Sequence, residues 1–375
     1  MARSHSLRAW VWIHKWSSLI CTAFLLLLCV TGLPLIFSHE IDALTGKHFE
    51  PAQLAAGAQP VAADTVVAAA LERHPGLVPL YLFAQEDAPG LWYVKLDTRA
   101  DSDEKNAVLV AADGHSGQVL GLPDFGNGFM AVMYRLHVDL FAGIPGKLFL
   151  GFMGLLLIVS LVSGTVLYAP FMRKLDFGTV RSERGSHIRW LDLHNLIGIA
   201  TLVWVLIVGT TGVINTLGDL ILKAWQQEQV AQLAAGRGAQ LLVGDGAADG
   251  SVQRAIDRAR QAAPGMQVDM VAWPGTLLST PQHFAVILRG ETALTAKLRQ
   301  ALLVAPESGE VLQAGARPWY VTAFQLSQPL HFGDYGGLPL KVLWALLDLL
   351  AVIVLGSGLY LWLKPGQRTH RGPSP

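Results

Sequence analysis

Residues 14–32 read HKWSSLICTAFLLLLCVTG, and residues 194–212 read HNLIGIATLVWVLIVGTTG. Each stretch begins with a histidine, continues through a mainly apolar run and ends in Thr-Gly at the same spacing. A helix needs about 20 consecutive apolar residues to cross a bilayer, so each stretch is long enough to do so. The recurrence predicts two copies of one membrane-spanning unit.

The composition agrees with a membrane protein. Of 375 residues, 52% are hydrophobic and only 15% are charged, whereas an ordinary soluble domain has about 25% charged residues. The formal net charge is zero, which gives no electrostatic reason to expect a nucleic acid as partner. The two cysteines, Cys21 and Cys29, lie in one apolar run, about 12 Å apart along a helix. That distance is too long for a disulfide, so we interpret both as core residues.

Four uncharged or nearly uncharged stretches predict four membrane-spanning helices. They cover residues 16–38, 144–172, 191–218 and 339–363. The first resembles a signal peptide, but its long apolar core and the lack of a small-x-small cleavage site favour a retained anchor.

The charges beside these spans predict the orientation of the chain. The short segments 1–15, 173–190 and 364–375 together hold 11 of the 28 basic residues. Because basic residues accumulate on the cytoplasmic side, these segments are predicted to be cytoplasmic. The long connections 39–143 and 219–338 are then external, which in the inner membrane of a bacterium means periplasmic.

Two further histidines are repeated ahead of the second and fourth spans. His137 precedes Ser163-Gly164 by 26 and 27 residues, and His331 precedes Ser357-Gly358 by the same numbers. Since both halves of the chain start in the cytoplasm, the pattern predicts parallel repeats related by an axis along the membrane normal.

The external segments repeat as well. An Ala-rich amphipathic helix is predicted at 63–74 and at 251–263, and Pro-Gly ends each one. Strands with alternating β-branched and polar residues, bounded by Gly and Pro, then lead to a Ser-Gly turn. The predicted strands are 81–83, 91–96, 107–111, 267–272, 283–288 and 301–304. The predicted fold is a four-helix transmembrane bundle built from two parallel repeats, with two periplasmic α+β domains.

The repeated histidines form two pairs. His14 and His194 are expected at the cytoplasmic ends of spans one and three, and His137 and His331 at the external ends of spans two and four. Helix bundles build cofactor sites from side chains on facing helices, and imidazole is a usual axial ligand of haem iron. We therefore predict two haems b, each held by two histidines, as an electron path across the membrane. The chain lacks the C-x-x-C-H motif of covalently bound haem.

Four glycines of the spans are expected at the same levels as the two predicted haems. Gly32 and Gly212 are expected at the level of the outer haem, and Gly164 and Gly358 at the level of the inner one. Each haem would then meet glycine on the two helices that do not ligate it. Glycine has no side chain, so it permits the close approach of a flat macrocycle.

Asp348 lies inside the fourth span, where an acid is costly and a functional role is the default hypothesis. At the corresponding position of the second span the residue is Gly154. Asp348 is therefore a candidate proton relay linked to reduction, or a hydrogen-bond partner of a buried polar group. His39 and His187 have no repeated counterparts and are weaker candidates as ligands.

At these residues the chain resembles the PepSY-associated transmembrane-helix family, bacterial iron-regulated membrane proteins that include inner-membrane ferric-siderophore reductases such as the ferrioxamine reductase. The resemblance covers nearly the whole chain. It rests on the order and spacing of His14…Thr31-Gly32, Leu136-His137, Leu330-His331, Gly164–Tyr168, Gly358-Leu359-Tyr360 and the two Ser-Gly turns.

The resemblance implies that the periplasmic domains receive a ferric siderophore and that haem-carried electrons reduce Fe(III) to Fe(II). The four repeated histidines match the helix-end histidines of the family. The family pattern transfers no chelate-binding residue to this chain, and position alone favours the surface around Phe332–Gly337 and Trp319-Tyr320.

The sequence thus predicts a transmembrane dihaem oxidoreductase that reduces ferric siderophores. It has no G-x-G-x-x-G or other nicotinamide or flavin motif, so the electron donor is expected to be a cytoplasmic molecule or a quinol. One alternative is a non-enzymatic membrane-anchored PepSY protein that binds or inhibits periplasmic proteases or regulates a sensor. A transporter is a second alternative, although four helices with almost no polar lining leave little room for a solute path.

Overall fold

The structure, a computed structural model, describes residues 2–46, 49–53, 59–85, 88–172, 175–234, 240–243, 250–292, 295–296, 298–313 and 318–364. The chain divides into two compact units. The membrane unit comprises Met1–Ser38, Asn127–Gly218 and Ser327–Pro375. The sheet unit comprises His39–Gly126 and Asp219–Leu326.

The helices alternate with groups of strands along the chain. The helices are α1 (Ala2–Ile36), α2 (Ser38–Leu44), α3 (Ala63–Arg73), α4 (Phe129–Val138), α5 (Ile144–Met172), α6 (Ser186–Ala234), α7 (Val252–Ala262), α8 (Trp319–Phe332) and α9 (Gly337–Leu363). The strands are β1 (Val78–Ala84), β2 (Leu91–Asp97), β3 (Val108–Asp113), β4 (Val119–Gly121), β5 (Gln240–Val243), β6 (Met266–Ala272), β7 (Phe284–Gly290), β8 (Arg299–Val304) and β9 (Val311–Gln313).

Four helices are long and apolar enough to cross a membrane. These segments are Ser6–Ile36, Ile144–Pro170, Ser186–Gly218 and Gly337–Leu363. Each overlaps one of the predicted spans, because an uninterrupted apolar run of this length is a local property of the sequence. The protein is therefore a helical membrane protein with an attached β-sheet domain.

Small residues let the spans pack closely. A Cβ added to Gly154 on α5 would lie 2.6 Å from the side chain of Val213 on α6, and close approach at small residues is typical of membrane helices. Cys21 and Leu25 of α1 and Met153 of α5 form a buried cluster. The expected core position of Cys21 is thereby confirmed.

Two short helices precede the second and fourth spans, and neither was predicted. α4 carries His137 and α8 carries His331. The turn after α4 contains two non-glycine residues with left-handed backbone, Leu140 (φ 53°) and Phe141 (φ 60°). The turn after α8 uses glycine at its left-handed position Gly333 (φ 68°), where glycine is not strained. Both repeated histidines thus lie on helices separate from the spans that follow.

The sheet unit holds one continuous antiparallel sheet of nine strands, in the order β4-β3-β2-β1-β6-β7-β8-β9-β5. The sequence predicted an α+β domain in each external segment, and the structure joins the strands of both segments in this one sheet. β1 pairs with β6 in the register Tyr81↔Ala272 and Phe83↔Met270. This pairing satisfies the backbone groups that two isolated sheets would leave exposed at their edges.

α3 and α7 pack on one face of this sheet and enclose the main core. Val66, Ala70, Ile256 and Ala259 are almost completely buried there. The helix starts are linked, since Asp64 of α3 accepts hydrogen bonds from the Ser251 hydroxyl and from the first backbone N–H groups of α7. A carboxylate at this position satisfies donors that a helix N-terminus leaves unpaired. The opposite face carries two smaller clusters, around Tyr81 and around Tyr93.

Candidate functional site

Each of the four repeated histidines is held by a neighbouring helix through the same ring atom, Nδ1. In the first case, His14 of α1 faces α5. Its Nδ1 lies 3.0 Å from the carbonyl oxygen of Ser160 and 3.3 Å from the hydroxyl of Ser163. The next residue, Gly164, lies against the imidazole ring.

His194 of α6 meets α9 in the same way. Its Nδ1 lies 3.1 Å from the carbonyl oxygen of Val354 and 2.9 Å from the hydroxyl of Ser357. Gly358 follows and again faces the ring. Within the same unit, His14 is close enough to His194 for the two rings to interact electrostatically.

His331 of α8 contacts α6 through a matching carbonyl, hydroxyl and glycine. Its Nδ1 lies 2.9 Å from the carbonyl oxygen of Val208 and 3.5 Å from the hydroxyl of Thr211, and Gly212 contacts the ring.

His137 of α4 contacts α1 through the same kinds of partner. Its Nδ1 lies 3.1 Å from the hydroxyl of Thr31, and the backbone of Leu28 is a further hydrogen-bond partner. Gly32 contacts the ring. In all four sites the backbone partner lies three residues before the hydroxyl residue, which directly precedes the glycine. We call this arrangement of carbonyl, hydroxyl and glycine an imidazole seat.

The seats determine which ring nitrogen carries the hydrogen. A carbonyl oxygen can only accept, so Nδ1 must donate. The seat hydroxyls also act as acceptors, because each donates its own hydrogen to a carbonyl of its own helix. Nε2 of each ring then keeps a lone pair, which is the form in which a neutral histidine binds a metal. Metal-bound histidines usually have such a partner on the second nitrogen.

The seat glycines make room for the imidazoles themselves. An added Cβ would lie 3.0 Å from ring atom Cε1 at three of the four positions, namely Gly32, Gly164 and Gly212. At Gly358 the distance is 3.5 Å, an ordinary contact. The predicted approach of a macrocycle to these glycines stays a prediction, whereas their contact with the histidines is a feature of the structure.

The ring spacing of His137 and His331 suits two ligands of one metal atom. Their ring centroids are 6.2 Å apart, with an angle of 60° between the ring planes. Two imidazoles that bind one metal atom at about 2.0–2.1 Å would have centroids roughly 6 Å apart. In the part of the chain that the structure describes, no group of three or more His, Cys, Asp or Glu side chains could hold a bare ion. A haem iron needs only two protein ligands, because the porphyrin supplies the others.

Asp348 is buried, with 9% of its surface exposed, and Cys29 is its hydrogen-bond partner. Cys29 was interpreted only as an apolar core residue, and sequence reasoning missed this contact because it joins α1 to α9. Among the described residues, the second carboxylate oxygen, Oδ2, has no hydrogen-bond partner. Asp348 thus keeps one carboxylate oxygen able to accept a further hydrogen bond, and its role as a proton relay stays a prediction.

The weaker candidates are not part of an imidazole seat. His39 is an exposed residue of the sheet unit. Within the described residues, His187 has a buried Nδ1 atom without a hydrogen-bond partner. The segment Phe332–Gly337 forms the end of α8 and the turn to α9, where Tyr335 packs on Trp344.

Sequence reasoning did not assign a role to the seat carbonyls and hydroxyls. The hydroxyls had one available signal, which is that Thr or Ser directly precedes each repeated glycine. The sequence offers no signal for the seat carbonyls, because every residue has a backbone carbonyl.

Comparison with known proteins agrees with the predicted resemblance. An uncharacterized protein of Pseudomonas aeruginosa, PA4219, is 30% identical over 251 residues, which are 62% of this chain and 63% of that protein. The chain thus covers less than two thirds of that relative's length. The PepSY-associated TM region matches residues 11–364, nearly the whole chain. The chain therefore belongs to the PepSY-associated transmembrane family.

Proposed function

We propose that this protein is a dihaem b-type oxidoreductase of the bacterial inner membrane that reduces ferric siderophores in the periplasm. The observation that carries the proposal is the set of four equivalent imidazole seats, each leaving Nε2 of its histidine available to a metal. The 6.2 Å spacing of His137 and His331 supports it further.

The chain's own residues would hold and orient the cofactors. His14 and His194 would bind one haem, and His137 and His331 the other. A bis-histidine haem supplies a one-electron carrier. The seats keep each imidazole in one tautomer and one orientation, and the apolar spans exclude water. Reduction of Fe(III) to Fe(II) would release the metal, since siderophores hold Fe(II) far less tightly.

The orientation is part of the proposal. The basic residues of the short segments favour a cytoplasmic location for the chain termini and for the loop between α5 and α6. The sheet unit would then lie in the periplasm. The repeated order of one helix and four strands in that unit, α3 to β4 and α7 with β6 to β9, supports two parallel repeats. Electrons would come from a cytoplasmic donor or a quinol, with Asp348 as a candidate proton relay.

The test is the visible spectrum of the purified protein together with the haem count per chain. We expect about two haems per chain with low-spin bis-histidine bands. After reduction with dithionite and removal of the excess, ferric siderophore should reoxidise the protein, and the iron-free siderophore is the control. A colourless protein would refute the proposal and favour the non-enzymatic alternative. Haem that ferric siderophore fails to reoxidise would refute the substrate and leave a cytochrome.

A further inference from the structure

A polar pair of side chains lies one helical turn from the seat of His331. Asn215 of α6 follows Thr211 by four residues, and Ser327 of α8 precedes His331 by four. Residues four apart share one face of a helix, so the pair continues the contact between α6 and α8 that the seat makes. The Ser327 hydroxyl donates a hydrogen bond to Oδ1 of Asn215. The pair lies on the side of the seat that is farther along α6 from His194.

This hydrogen bond orients the amide of Asn215. Because Oδ1 accepts from the Ser327 hydroxyl, the amide nitrogen Nδ2 is turned away from that hydroxyl. Nδ2 is buried, and among the residues that the structure describes none accepts a hydrogen bond from it. Buried N–H groups nearly always have an acceptor, since leaving one unpaired costs free energy. Asn215 is thus placed to donate to a bound acceptor.

The first half of the membrane unit lacks this pair. The residues at the corresponding positions are Leu35 on α1 and Met133 on α4, and both are apolar. The seat of His137 nevertheless has the same carbonyl, hydroxyl and glycine as the seat of His331. The polar pair is therefore not needed to hold a histidine. A ligand bound by both histidines would meet an amide donor on the side of the second half only.

The haem proposed for His137 and His331 carries the matching acceptors. Its two propionate groups are carboxylates at neutral pH, and a carboxylate in apolar surroundings is costly unless it accepts hydrogen bonds. An N–H group that donates to a carboxylate makes a charge-assisted bond, which is stronger than a bond between neutral groups. The amide of Asn215 supplies such a donor.

We propose that Asn215, oriented by Ser327, donates a hydrogen bond from Nδ2 to one propionate of the haem bound by His137 and His331. The inference rests on the proposed function and adds a cofactor contact that only the second half supplies. Two axial histidines leave a haem free to rotate about the axis through the iron and its ligands. A donor to one propionate would restrict that rotation.

The test measures the rate at which the oxidised full-length protein in detergent transfers haem to excess apomyoglobin. Asn215→Leu, which introduces the first-half residue, should release one of the two haems about tenfold faster, since a hydrogen bond to a charged group contributes an effect of that order. That haem should be the one that His331→Ala removes. Asn215→Asp should release it faster still, because a second carboxylate repels the propionate.

Thr216→Val is the matched control. Thr216 is the neighbour of Asn215 in the chain, and its hydroxyl already donates to the carbonyl oxygen of Gly212. The substitution removes a polar group at the same level of α6 while keeping the size of the side chain. Both haems should leave this variant at the wild-type rates.

A resonance Raman spectrum separates a contact with the propionate from a general loosening of the bundle. Loss of the hydrogen bond should shift the propionate bending band of this haem to lower frequency in Asn215→Leu and Asn215→Asp, and less in Ser327→Ala. The band should not move in Thr216→Val. If Asn215→Leu lowers the unfolding temperature, Asn215→Asp decides, because aspartate has nearly the shape of asparagine and can still accept from Ser327.

An unchanged release rate and an unchanged band in folded Asn215→Asp would overturn the inference, as would equally faster release of both haems. The outcomes are distinct from those of the proposed function. A protein with two haems that the Asn215 variants keep refutes this inference alone. Release as expected from a protein that ferric siderophore fails to reoxidise refutes the proposed substrate alone. A colourless protein refutes both.

Discussion

The two halves of the membrane unit share their imidazole seats and differ in what surrounds them. His14 and His137 are seated on helices of the first half, and His194 and His331 on helices of the second. The hydrogen-bond partners and the following glycine match in all four seats. A geometry repeated this closely indicates a requirement common to both halves, as expected if all four histidines bind the same kind of ligand.

The surroundings of the seats differ in polarity. Among the described residues, several buried groups of the second half have an atom without a hydrogen-bond partner, including Trp204 Nε1, Asn215 Nδ2, Trp344 Nε1 and Asp348 Oδ2. At the same distances from the corresponding histidines, the first half has only apolar residues, namely Phe24, Leu35, Leu150 and Gly154. The seats are thus common to both halves, and the second half carries additional polar groups.

The largest expected effect is the loss of one haem when either half loses a histidine. His137→Ala and His331→Ala should each lower the haem content from about two to about one per chain, because a haem iron with one protein ligand is held weakly. Haem extraction and protein assay give the ratio. A large difference between these two variants would break the proposed equivalence of the halves.

A second, smaller effect is expected when the seat glycine of either half is enlarged, because each affects a histidine of the same pair. Gly32 and Gly212 lie in different halves, and they contact His137 and His331 respectively, which form one pair. The substitutions Gly32→Leu and Gly212→Leu would therefore both crowd this pair. Both variants should selectively weaken the haem of that pair, since a leucine cannot fit 3.0 Å from the ring. Reduced-minus-oxidised spectra of the two haems report the selectivity. Equal loss of both haems from either variant would contradict the assignment.

Adding one methyl group to a seat glycine should affect the first half more than the second. Gly164→Ala places Cβ 3.0 Å from Cε1 of His14, whereas Gly358→Ala places it 3.5 Å from Cε1 of His194. We expect the first variant to lose about 1–3 kcal/mol of stability and to shift the redox potential of the associated haem, and the second to resemble the wild type. Thermal unfolding and a redox titration measure both. The same outcome in both variants would mean that the helices adjust freely at the seats.

The smallest effect concerns the polar group present only in the second half. If Asp348 takes up a proton on reduction, the midpoint potential of the wild type falls as the pH rises, and Asp348→Asn abolishes this slope. Haem content and thermal stability should change little, because asparagine has nearly the same shape. Cys29→Ser is the matched control, since serine can also donate a hydrogen bond to Asp348. A slope unchanged in Asp348→Asn would exclude the relay.

Much of the fold was predictable because it depends on local patterns. α3 and α7 coincide closely with the predicted amphipathic helices, and β2 and β6 with two predicted strands. The short strands β4, β5 and β9 were missed, because three or four residues carry too little alternation to be recognised. α4 and α8 were missed because each directly precedes a span and shares its apolar character.

The four spans and the four repeated histidines can be predicted from the sequence alone, since apolar length and spacing can be counted along the chain. Three contacts follow from the packed structure and not from the sequence: β1 pairs with β6, every Nδ1 of the seats meets a carbonyl or hydroxyl of a neighbouring helix, and Cys29 meets Asp348. These contacts join residues more than 100 positions apart. They depend on how completed helices and strands pack, and that packing has no period that can be read from one segment.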